Sequence, residues 1–208
     1  MNPIIRHMTH IRNLSGILEQ GGLWCDRQAQ VQGLIQQGIG HDHIKKRREK
    51  KSVKAGPGGS LCDYVPLYFA HHTPMLYAIH RGGVAGYEGG QDEVIYLVTR
   101  PNVVQQAERS FVFTDGHAAV EISRQFTDLA YLQEIDWELI RAIYWTNTDD
   151  DVDRVRRKQA EFLVHDFLPW PLIRGIAVRT ETMADQVAAL LYGQQHTPPI
   201  QVMPTWYY

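Results

Sequence analysis

An α+β fold is what this sequence predicts, and three observations carry the prediction. Strand-like runs cluster without the regular strand–helix alternation of a doubly wound sheet. The segment "DEVIYLVTR" (Asp92 to Arg100) is a β-branched and aromatic run ending at Pro101, the mark of a buried strand. The segment "ETMADQVAALLYG" places apolar residues at helical spacing and closes on Gly193. A chain of 208 residues is long enough to bury a substantial core, so 1–208 reads as one domain.

The elements follow in order. "IIRHMTHIRNLSGILEQGGLW" opens as a strand at Ile4 and Ile5, then a helix on Leu14, Ile17 and Leu18, stopped by Gly21-Gly22. From Lys45 to Lys54, "KKRREKKSVK", seven cations face one acid, Glu49, and "AGPGGS" (Ala55 to Ser60) follows. Gly and Pro at that density predict a basic, mobile loop over residues 41–60 rather than a long helix. "DYVPLYFAHHTPMLYAIHRGG" predicts a strand from Tyr64 to Phe69, a turn at His71 to Pro74, and a short helix from Pro74 to His80 with proline in its first turn. "FVFTDGHAAV" reads as a strand, a turn on Asp115-Gly116 and a helix start; "DWELIRAIYW" (Asp136 to Trp145) reads as a strand with a helical lead-in. "VDRVRRKQ" is a helix ending near Gln159, and "EFLVHDFL" and "IRGIAVR" are strands.

Composition removes several function classes. The net charge of −2 gives no global attraction to nucleic acid, so any such contact must be local; the run Lys45 to Lys54 is suited to it. The acidic "DDDVD" (Asp149 to Asp153), followed by Arg154, Arg156, Arg157 and Lys158, reads equally well as a solvated face. Cys25 and Cys62 have neither metal-ligand spacing nor a disulfide framework, which points to a reducing cytoplasm. No apolar stretch approaches the ~18 residues of a membrane span, and the signal-peptide layout is missing. Ten histidines show no HxxxH pattern, so no metal site is expected. P-loop, GxGxxG and GxSxG signatures are also missing.

What remains is a polar set in apolar settings: His10, Tyr68, Tyr77, His117 and Glu161. The acid in "RKQAEFLVHDFLP" stands between Ala160 and the run Phe162 to Val164. Taken alone, it reads as an ion-pair partner of Arg157 or Lys158. Alternation along that strand puts Glu161, Leu163 and His165 on one face and Phe162 and Val164 on the other.

Six segments in order are similar to the DarT family, bacterial toxins that ADP-ribosylate DNA using NAD. They are "THIRNLSGILEQGGL" (Thr9 to Leu23), "IKKRR" (Ile44 to Arg48), "DYVPLYFAHHTPMLY" (Asp63 to Tyr77), "TDGHAA" (Thr114 to Ala119), "NTDDDVDRVRRKQAEFLV" (Asn147 to Val164) and the closing "YY". The T-H-x-x-N-L opening occurs also in RNA 2′-phosphotransferases. Here "PLYF" stands where the family more usually has "PFYF", His72-Thr73 stand where it has Arg-Ser, and His117 stands where other members carry Asn. The resemblance implies an ADP-ribosyltransferase-like fold, a split and mostly antiparallel sheet flanked by helices.

The resemblance also implies roles. Glu161 matches the catalytic glutamate, which would grip the ribose 2′-hydroxyl and face the positive charge that develops as the nicotinamide bond breaks. His10 and Asn13 match the NAD-binding opening, with the Gly21-Gly22-Leu23 turn letting the dinucleotide approach backbone. Tyr68, Met75 and Tyr77 would wall the nicotinamide end. Arg48, the arginine of the "IKxxR" position, would stabilise the deprotonating acceptor base and the NAD phosphates, with His117 assisting near the acceptor. Lys45, Lys46, Arg47, Lys50, Lys51 and Lys54 would clamp single-stranded DNA, most simply at a thymine. A macrodomain antitoxin, DarG, is the implied partner. The rivals are an RNA- or protein-directed NAD-using transferase and a non-catalytic nucleic-acid binding domain.

Overall fold

The computed structural model describes residues 2–208. The chain runs β1 (Ile5–His10), α1 (Leu14–Glu19), β2 (Gly22–Trp24), α2 (Asp26–Val31), α3 (Asp42–Lys50), β3 (Tyr64–Tyr68), α4 (Pro74–His80), β4 (Val94–Thr99), α5 (Pro101–Gln106) and β5 (Phe111–Thr114). It continues through β6 (Gln125–Phe126), α6 (Trp137–Arg141), α7 (Arg154–Lys158), β7 (Glu161–His165), β8 (Phe167–Pro169), β9 (Gly175–Val178), α8 (Glu181–Leu191) and β10 (Ile200–Val202).

Eight strands form one sheet in the order β10-β9-β4-β1-β3-β7-β5-β6, and β2 pairs with β8 in a second, two-stranded sheet. Neighbouring strands are antiparallel throughout, except β9 and β10. The fold is therefore α+β, a mostly antiparallel sheet flanked by helices. Period-two alternation sorts the core into its two sides. On β7, Phe162 and Val164 join the main cluster with Ile5, Val65, Leu67 and Phe113, while Leu163 joins Val53, Leu61, Tyr64 and Val112 on the other face.

Four local readings are corrected. Residues Asp42–Lys50, expected within a loop, form helix α3. The Lys, Arg and Glu of this stretch are good helix formers, and the breakers begin only after Lys54. The "AGPGGS" segment is itself pinned by a Ser52–Ser60 bridge and a Val53 N–H bond to Gly59 (2.9 Å). After Asp115-Gly116 the chain makes successive turns instead of a helix. Asp136–Trp145 holds no strand: Asp136 caps α6 by accepting the Leu139 N–H (3.0 Å). At its end the buried Lys158 ammonium donates to Leu139, Ile140 and Ala142 carbonyls at 3.1, 2.9 and 2.6 Å. One cation satisfies the acceptors that a strand ladder would otherwise need. Finally, "EFLVHDFL" is two strands, broken at Asp166, whose φ of +63° turns β8 away to pair with β2.

Candidate active site

Glu161 opens β7 directly opposite Tyr68 of β3, so the two side chains leave one face of the sheet together. The carboxylate of Glu161 is 1 % exposed, and donors meet both of its oxygens. Oε2 accepts from Arg48 Nη1 at 2.8 Å; Oε1 accepts the Ala118 N–H at 3.0 Å and lies 3.4 Å from His117 Nδ1. His117 Nδ1 also stands 3.2 Å from the Ala119 N–H. The ring's tautomer decides between the two contacts: Nδ1 accepts from Ala119 when it carries no proton and donates toward Glu161 when it does. Arg157 and Lys158 are both elsewhere. Arg157 pairs with Asp136 (2.8 Å) and Asp151, and Lys158 caps α6.

Burial alone would raise the pKa of Glu161, but the Arg48 guanidinium, then His117 and the Ala118 N–H, outweigh it. The carboxyl is held well below the usual carboxylate range and is ionised at neutral pH. Burial likewise opposes the charge on Arg48, and Glu161 followed by Asp26 more than restores it. Arg48 is itself 6 % exposed, and its Nε and Nη2 have no hydrogen-bond partner. A buried guanidinium edge left open carries a desolvation penalty that a bound acceptor would relieve.

Arg48 is among the residues that line a cleft of about 380 Å³. β1 supplies His7 and Thr9 to it, α1 Ile17, β2 Leu23, α4 Met75, and α3 Lys45 and Arg48. His7 Nδ1 bonds the Pro66 carbonyl at 2.9 Å, and burial lowers its pKa to about 4, so the ring is neutral and Nε2 is left as an acceptor. Tyr68 points its hydroxyl at Met75 Sδ (3.7 Å), and burial, then Glu161, keeps the phenol protonated. Among the described residues, no group of three His, Cys, Asp or Glu side chains is placed to hold a metal. Among the same residues, no helix is long and apolar enough to cross a membrane.

The family profile described as "ssDNA thymidine ADP-ribosyltransferase, DarT" matches residues 6–208. The chain belongs to the DarT family. A DNA ADP-ribosyl transferase of Thermus aquaticus is 42 % identical over 207 residues, covering 99 % of this chain and 89 % of its own. One of Escherichia coli O127:H6 is 32 % identical over 212 residues, covering 100 % and 96 %. Among solved structures, Thermus sp. 2.9 DarT in complex with ADP-ribosylated ssDNA superposes with a TM-score of 0.93 at 39 % identity, covering 99 % of this chain and 96 % of that one. The same protein in complex with NAD+ gives 0.89 at 38 % identity, covering 99 % and 97 %. Membership fixes the reaction class: an NAD-dependent DNA ADP-ribosyltransferase.

Within this DarT fold the expected site residues separate into three groups. Arg48, His117, Tyr68, Met75 and Leu23 line the cleft, and Glu161, itself outside the lining, is bonded to Arg48 and lies 3.4 Å from His117. Asn13 lines the cleft, but its amide is spent on the chain: Nδ2 donates to Thr9 Oγ1 (3.1 Å) and the Gln37 carbonyl (2.8 Å), and Oδ1 accepts from Gln36 and Gln37 N–H. It builds the wall at 36–38. Outside the lining lie His10, Gly21 and Tyr77. His10 is buried, its Nδ1 accepting the Arg12 N–H (3.1 Å) and its Nε2 lying 3.2 Å from Glu93; it caps the turn at Ile11–Asn13. Tyr77 is 42 % exposed and packs on Trp145 and Tyr208. The helix period explains it: Met75 and Ala78 share the cleft face of α4, and Tyr77 lies off it. Gly22 lines the cleft, yet its need for glycine comes from strand packing. A Cβ there would stand 2.3 Å from the Leu168 carbonyl oxygen, at φ +155°.

In the basic run, Lys46, Lys50 and Lys54 are exposed, with Lys46 and Lys50 four residues apart on one side of α3. Arg47 donates to the Ala119 carbonyl (3.0 Å) and Lys51 pairs with Glu121, so both tie α3 to the loop that carries His117. Sequence reasoning missed His7 and Asp26. His7 stands two residues before Thr9, a period-two pair that flags one strand face; nothing local marks Asp26.

Proposed function

We propose that the cleft binds NAD with its nicotinamide ribose against Glu161 and transfers ADP-ribose to a thymine of single-stranded DNA. The carrying observation is Glu161: a buried carboxylate kept ionised by Arg48 and a backbone N–H, at the end of a cleft with an open guanidinium edge. Departure of nicotinamide leaves positive charge on the ribose. A fixed anion in a water-poor site stabilises that charge more than it stabilises the bound substrate. Tyr68 and Met75 flank the carboxylate side of the cleft, and the neutral His7 offers Nε2 to a donor on the ligand.

In this reading, Lys46, Lys50 and Lys54 meet the DNA backbone, with Lys45 at the cleft rim and Arg47 and Lys51 fixing the helix that presents them. His117 lies at the acceptor side of Glu161. The product is a DNA adduct made in the cytoplasm, where NAD and DNA both are, and one that a macrodomain of the DarG kind removes.

The experiment is direct. The protein is incubated with NAD and single-stranded oligonucleotides that differ only in carrying or lacking thymine, and mass spectrometry looks for the gain of one ADP-ribose. Labelling confined to thymine-bearing strands is expected, as is its reversal by an added DarG-type macrodomain. Labelled RNA or protein beside clean DNA would overturn the assignment.

A further inference from the structure

The charge of Arg48 is shared between two carboxylates, and only one of them has a role so far. Asp26, the first residue of α2, lies with Oδ2 at 3.6 Å from Arg48 Nε, while Glu161 holds Nη1. The separation exceeds a hydrogen bond, so the Nε and Nη2 protons stay unpartnered although both are buried. Asp26 also lines the cleft, and its side chain is 34 % exposed. An acceptor-hungry guanidinium edge therefore lies beside a carboxylate that is free to accept.

Such a pair reads a particular edge of a nucleobase: a carbonyl oxygen next to a ring N–H. Thymine and guanine carry that arrangement; adenine and cytosine have an unprotonated ring nitrogen at the corresponding place. Resting on the DNA-modifying reading above, we propose that Asp26 is the base that takes the ring N–H proton of the acceptor nucleobase, while the open edge of Arg48 holds the neighbouring carbonyl. The step balances. The N–H proton passes to an Asp26 oxygen, and the nitrogen lone pair forms the bond to ribose C1′. The C1′–nicotinamide bond breaks with its electron pair on the departing ring nitrogen, which discharges the pyridinium. Arg48 carries the charge that gathers on the base carbonyl during transfer.

The surroundings of Asp26 suit a base rather than a spectator. Burial raises its pKa above the ordinary carboxylate value and the anion of Glu161 adds to this, against Arg48 and Lys45, which pull it down. These are the charged groups facing it, from α3 and β7. A carboxylate lifted in this way is a better proton acceptor.

Single-turnover rates on two oligonucleotides test the assignment, one with thymine at the target and one with 5-fluorouracil, whose ring N–H is more acidic. Asp26→Asn is expected to lose roughly 10²-fold or more on thymine. Its deficit should shrink at least about tenfold on 5-fluorouracil, since a more acidic N–H needs the base less. Asp26→Glu, which keeps a base, should retain more activity than Asp26→Asn. Equal losses on both oligonucleotides, or equal losses in both variants, would make Asp26 only a support for Arg48 and overturn the proposal. Wild-type protein that labels neither oligonucleotide would instead refute the DNA reading itself.

Discussion

Two arginine–carboxylate clusters flank the same loop, residues 115–119, and they are built to opposite ends. Arg156 is closed. Nε and Nη2 bond Asp153 at 2.8 and 2.6 Å, and Nη1 bonds Asp115 Oδ1 and Ser123 Oγ, both at 3.1 Å. Its carbonyl also receives the His117 N–H at 2.8 Å. Arg48 is open: one Nη1 bond to Glu161, and two buried donors with nothing to bond. A saturated cluster fixes structure, whereas one that leaves buried donors unmet carries a desolvation penalty that its own contacts do not offset. The closed cluster holds the loop still, so that Ala118 and His117 arrive at Glu161 in register.

That contrast breaks if the two clusters respond alike to substitution. The largest expected effect is Glu161→Gln, which should cut transfer by about 10³-fold or more while NAD binding stays detectable by calorimetry. Arg48→Lys keeps a charge but loses the fork, and a fall of roughly 10²-fold in labelling rate is expected, with a smaller change in melting temperature. Asp115→Asn should behave the other way round. A stability loss of about 2 kcal/mol in denaturant melts, with less than a tenfold loss of rate, would mark the closed cluster as structural. A dead but fully stable Asp115→Asn would erase the distinction.

The smallest effect is a pH dependence, and it has a definite sign. The folded-state pKa of Glu161 is depressed, so its contribution to stability is complete above the unfolded value near 4.5 and is lost as pH falls through the folded value. The stability gap between wild type and Glu161→Gln should therefore be widest at neutral pH and narrow below pH 4.5, by at most about 1.4 kcal/mol per pH unit. A gap that stays constant from pH 7 to pH 3 would show that Glu161 is not ionised in the folded protein.

Elements with self-contained signals were legible from the sequence. β4 is a β-branched run, α4 has proline at its first turn with Thr73 as cap, and α8 has Thr180 capping Met183. The helical α3 was obscured because the glycines next to it dominate a local reading, and α6 because its end is satisfied by a lysine far along the chain. The site was illegible locally for a plainer reason. Glu161 and Arg48 are 113 residues apart, and nearby Arg157 is the nearer partner in sequence but is engaged by Asp136, Asp151 and Asp153. Only the ordered resemblance joined Glu161 to Arg48. It could not say which of the matched side chains open onto the cleft: Asn13 lines it, whereas His10 and Tyr77 lie outside the lining.

Helix α3 is strongly polar, and among its described side chains Arg48 alone is buried. The segment that displays Lys46 and Lys50 outward is thus moored by Arg48 to Glu161 and, at its surface, by Arg47 and Lys51 to the loop that carries His117. A change at Glu161 that loosens its bond to Arg48 therefore reaches the helix whose outer side carries the exposed Lys46 and Lys50.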